Sequence, residues 1–143
     1  PTAPPAPPAP AAPPAPAPVE SPDKKKAMES IAVLTDEFSV DYTKIIGTLK
    51  FAFNVDQFDA LSQEQYPIAA GIFSKWVDGV RECDEQAELI AEYGGEQGTA
   101  GVAQIYANNK IKKLSEMKRE DIAIIKDQLN NYREQWEAFA NAQ

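Results

Sequence analysis

Apolar residues recur along this chain mostly at helical spacing. After Ser21-Pro22-Asp23 (an N-cap, a proline at the first helical position and an acid in the first turn), Ala27, Ile31, Leu34 and Phe38 follow three or four residues apart. They predict an amphipathic helix ending near Phe38. Residues 40–55 carry two patterns. Tyr42, Ile45, Ile46, Leu49 and Phe53 suit a helix opened by Ser39 or Asp41, whereas Leu49, Phe51, Phe53 and Val55 alternate as in a strand. No second alternating run exists to pair with such a strand, and an isolated strand is unstable, so helix is the reading taken.

Further along, Asp59 or Ser62 offers a cap, and Ser62 with Gln65 forms a capping-box pattern. Pro67 marks a break at Tyr66 and the start of a long helix to Tyr93. Its seam is Ala69, Phe73, Trp76, Val80, Cys83, Ala87 and Ile90, spaced alternately four and three. Gly94-Gly95 is a stop signal, the stretch Gly94–Gly101 reads as a loop, and Val102 to Leu114 reads as a shorter helix. A last helix runs from Ser115 or Glu116 to Phe139, with Ile122, Ile125, Leu129, Tyr132, Trp136 and Phe139 repeating the four–three spacing. The two matching seams predict that these helices pack together. Ile68, Ile72, Val77 and Leu89 widen the first seam beyond that of a two-stranded coil. The fold class is therefore all-α, a four- or five-helix bundle. If the two long helices pair antiparallel, Asp84 should lie near Lys126 or Arg133.

Composition adds a boundary. Eleven of the twelve prolines lie in residues 1–22, and the first eighteen residues are Pro and Ala apart from Thr2. Such a tract cannot build a core, so residues 1–21 are expected to be a disordered Pro/Ala-rich spacer preceding a helical domain over 22–143. As polyproline II, residues 1–18 would span about 55 Å. Pro1-Thr2-Ala3-Pro4 resembles the PTAP late-domain motif recognised by the ubiquitin-variant domain of the ESCRT-I complex. Its residues are those the tract would supply anyway, and spacer is the reading kept. A chain opening inside such a tract is expected to be the C-terminal part of a larger protein.

Charge adds a second division. The net charge is −8, and residues 56–96 hold ten acids against Lys75 and Arg81, whereas residues 110–119 hold five bases against Glu116. With this balance the whole domain does not resemble a nucleic-acid binder. No apolar run reaches membrane-span length and no signal-peptide pattern is visible, so no membrane partner is expected. The lone Cys83 accords with a reducing, cytoplasmic setting.

The absence of His removes His-dependent acid–base catalysis, the common zinc sites and the Glu-x-x-His motif of di-iron bundles. No calcium-loop motif is present, and Gly94–Gly101 lacks the Gly-Lys-Ser/Thr phosphate signature. No cofactor, metal site or catalytic residue is assigned. Cys83 sits on the apolar seam and reads as a small core residue. Two candidate partner surfaces are left. Glu82, Glu85, Glu88 and Glu92 are spaced to share a helix face that could dock a basic partner. Lys110, Lys112 and Lys113 could meet phosphate or an acidic partner, although at a helix end they also complement its dipole. The expected function is a non-enzymatic helical protein-interaction module carried on the spacer. The alternative is an accessory domain of a nucleic-acid-processing (replication or recombination) protein that uses the basic patch at 110–119.

Overall fold

A computed structural model describes residues 3–5 and 21–143. The spacer expected over residues 1–21 thus lies outside the described residues, Ser21 and residues 3–5 excepted. The described chain is all-α, with four α-helices and no strand among the described residues.

Helix α1 (Pro22–Ala32) starts on the predicted cap: the Ser21 hydroxyl oxygen accepts from the Lys24 amide at 3.0 Å. It runs on through a π-helical turn, Val33–Glu37, and ends where Ser39 takes a left-handed conformation at φ 58°. Helix α2 (Tyr42–Phe53) resolves the ambiguous stretch. Asp41 caps it, its carboxylate accepting from the amide and the hydroxyl of Thr43 at 2.9 Å each, and these bonds hold its pKa below the ordinary value. Burial of Ile45, Thr48 and Leu49 gives α2 the inner face that the strand pattern would have left unpaired.

Helix α3 (Gln65–Asn108) begins two residues before Pro67, which stands in the first turn, where a missing N–H breaks no helical bond. Gln65 accepts from the Ser62 amide at 2.9 Å, the reciprocal half of the predicted capping box. The expected loop over Gly94–Gly101 is a correction: only Gly95 departs from helical geometry, at φ 57° and ψ −135°. That single residue folds α3 into an antiparallel hairpin. Gly98 lies against the backbone carbonyl of Ile90, and Tyr106 lies beside Cys83 and Asp84. In a straight helix the first pair would be about 12 Å apart.

The second arm stops at Asn108, six residues before the predicted end. Lys110 takes the left-handed position (φ 63°), the Ile111 amide reaches back to the Tyr106 carbonyl and the Lys110 amide to that of Ala107, each at 3.0 Å. This is a Schellman closure, with Ile111 and Tyr106 both buried beside it. The connection then makes two 3-10 turns, Leu114–Glu116 and Arg119–Asp121, around the fully buried Met117. Helix α4 (Ile122–Asn141) starts later than expected for the same reason.

The long helices pair as their seams predict, but in parallel. Gly79 packs on Ile122, Glu82 pairs with Lys126 at 3.1 Å, Arg133 donates to Gln86, and Gly94 lies against Trp136, so residue numbers rise together on both helices. An up-down-up path through the Gly95 corner forces this. Asp84 consequently does not meet Lys126 or Arg133. It lines a groove with Tyr106, Lys112 and Lys113 instead. Helix α1 also runs parallel to the first arm of α3, with Lys24 over the Tyr66 ring at 5.5 Å and Arg81 bonded to Glu37 at 3.4 Å. One core results, centred on Trp76 and Phe73, whose rings stack 6.2 Å apart, with Leu34, Leu49, Ile90, Met117, Ile125 and Leu129 around them.

Candidate functional site

Helix α1 ends level with Arg81, so the bundle beyond that point consists of the α3 hairpin and α4 alone. This distal end is where the candidate acids lie. Glu82 turns toward α4 and its carboxylate binds Lys126, raising the Lys126 ammonium above its ordinary pKa. Glu85, Glu88 and Glu92 are exposed, share one helix face, and have no ion-pair partner among the described residues. The four acids expected to act together are therefore three, with Glu82 committed to the α3–α4 contact.

Charge is sorted by position along the bundle. Beyond the Glu82–Lys126 pair, residues 83–109 and 127–143 form the distal end; they hold eight acids and one base, Arg133, and so account for most of the net charge of −8. The rest of the chain carries fourteen acids and thirteen bases. Arg133 is already engaged: it bonds Glu137, Gln86 and Asn130 and lies 3.7 Å from Glu134.

The same end carries aromatic side chains. Tyr132 and Trp136 meet edge to face at 6.3 Å, Trp136 and Phe139 at 5.6 Å, so three rings form a ladder along α4. The sequence places Tyr132 and Trp136 in the core. The structure leaves both half-buried, packed on Gly101 and Gly94 of the α3 hairpin, and Phe139 56 % exposed. Trp136 sits on Gly94, where an added Cβ would fall 2.7 Å from the ring. Tyr93, 36 % exposed, follows Gln86 by two turns on the face of α3 that meets α4. A clue was present in the sequence: apolar positions become aromatic toward the end of α4.

The basic candidates lie elsewhere. Lys110 closes the second arm of α3 at its left-handed cap, whereas Lys112 and Lys113 stand on the irregular connection beyond it; all three are exposed. Lys112 and Lys113 border a groove of about 520 Å³ with Glu37, Phe38, Asp84 and Tyr106, and the Lys112 amide donates to the Glu116 carboxylate. Lys110 takes no part in that groove, and no ion pair among the described residues links the lysines to the distal acids. A further groove of about 660 Å³ runs between α3 and α4, from Ile68 and Ile72 to Ala123, with Lys75, Arg119 and Lys126 facing Asp78, Glu82 and Glu120.

Cys83 is fully buried, and burial, with Glu82 nearby, pushes its thiol up to about 11. It is a thiol at neutral pH and a poor nucleophile. Among the described residues no group of His, Cys, Asp or Glu is placed to hold a metal ion, and no helix is long and apolar enough to cross a membrane. The distal end can attract cations through its charge and stack them on its rings. Comparison with protein-family models, curated proteins and solved structures finds no match.

Proposed function

We propose that this chain is a non-enzymatic interaction module whose acidic distal end docks a basic protein partner. The observation that carries this reading is the segregation of charge: a net −7 on one end of the bundle, with Glu85, Glu88 and Glu92 exposed and without an ion-pair partner among the described residues. Like charges three and four residues apart cost about 0.2–0.5 kcal/mol per pair, a cost that opposite charge on a partner would relieve. The Pro/Ala tract would act as a tether that gives the docking end reach.

Phosphate or nucleic-acid binding through Lys110, Lys112 and Lys113 is the competing assignment. The acids Glu37 and Asp84 border the same groove as Lys112 and Lys113 and offset their field. Crosslinking in cell extract, followed by mass spectrometry, separates the two. Three baits are compared: the natural chain, Glu85→Lys/Glu88→Lys/Glu92→Lys, and Lys112→Glu/Lys113→Glu. Crosslinked partners should vanish with the first variant and persist with the second. Partners lost only with the second variant would move the function to the basic connection.

A further inference from the structure

From this geometry, and resting on the acidic docking reading above, we infer that the ring ladder Tyr132–Trp136–Phe139 seats an arginine-bearing cationic segment of the partner. The proximal half of the molecule shows what its own rings do with cations: Arg81 lies over Phe38 at 6.0 Å and Lys24 over Tyr66 at 5.5 Å. Among the described residues no cation lies over a distal ring. The distal end holds one base, Arg133, which is bound by Glu137, Gln86 and Asn130. The ladder therefore combines the exposed Phe139 ring, the half-buried Tyr132 and Trp136, a place at the acidic end of the bundle and no cation over its rings.

A guanidinium suits that surface better than an ammonium. It is planar, stacks on aromatic faces, sheds water at lower cost, and can fork onto a carboxylate. Nucleic acid is repelled by the same field. A bare metal ion finds no converging ligand set among the described residues.

The test uses the full chain at low salt with synthetic nona-arginine and nona-lysine peptides. Trp76 is 1 % exposed, so peptide-dependent changes in tryptophan emission report on Trp136. The arginine peptide should bind about tenfold more tightly than the lysine peptide. Phe139→Ala, at an exposed site that should not impair folding, should erase that preference, whereas Glu85→Gln/Glu88→Gln/Glu92→Gln should weaken both peptides alike. Equal affinity for the two peptides, unchanged by Phe139→Ala, would overturn the aromatic seat and leave the acidic docking reading standing. No binding of either peptide would overturn both. Equally tight binding of a peptide of residues 1–18 would reassign the ladder to proline-rich segments. Concentration-dependent dimerisation abolished by Phe139→Ala would reassign it to a second copy.

Discussion

At the scale of single residues, burial decides chemistry. Cys83 and Tyr106 lie together inside the α3 hairpin, and burial raises both pKa values, the thiol to about 11. Each is an acid that ionises later in the folded state than in the unfolded chain, so the folded state retains protons the unfolded state has lost. Stability should therefore be undiminished below pH 9 and should fall as the pH rises from 9 toward 11. Denaturant titrations across that range check this, and Cys83→Ala should flatten part of the slope. Below pH 9 a thiol reagent should label Cys83 only as fast as the protein opens; rapid labelling of the native state would contradict its burial. The seam spacing placed Cys83 inside, and that is legible from sequence because one helix face must be apolar to be covered. Tyr132 and Trp136 show the limit of the same argument. Their spacing is as regular, yet both stay half-buried where they meet Gly101 and Gly94, on either side of the Gly95 corner.

Among elements, Gly95 matters most. Its φ of 57° with ψ −135° lies in a region that residues with a Cβ avoid, and the reversal of α3 depends on it. Gly95→Ala should destabilise the protein by about 1–3 kcal/mol, read from a lower denaturation midpoint. No bulk clashes with an added methyl at that position, so an unchanged midpoint would mean the corner has relaxed to another geometry. The Gly-Gly pair told that a helix ends here, but not that a new helix begins at once. Asn108 ends the second arm through a left-handed Lys110, a position where glycine is the usual signal, so the stop had no visible mark. Capping was far more legible, since Ser21, Asp41 and Gln65 act on neighbours within three residues.

Across the whole molecule, the charge map becomes a polarity of the bundle. Acids crowded at the distal end repel one another, so added salt should raise the unfolding midpoint. Glu85→Lys/Glu88→Lys/Glu92→Lys should raise it at low salt and reduce the response to salt, measurable by thermal denaturation in graded NaCl. A midpoint indifferent to both would mean that the distal repulsion is already screened. The acidic stretch was visible as composition, but its placement was not: Glu82 is spaced like Glu85 and Glu92, yet it faces Lys126, 44 positions along the chain. By itself the sequence determined the all-α class, the cap that starts α1, the burial of most of the long seam and the exclusion of histidine chemistry. Those properties follow from local hydrogen bonding, helical period and residue type. Only the tertiary structure decided that the first arm of α3 and α4 run parallel, that Asp84 shares a groove with the lysines, and that an aromatic ladder stands half-covered at the acidic end. Those depend on one glycine dihedral and on where neighbouring helices end, quantities that couple residues far apart in the chain and leave no periodic trace in it.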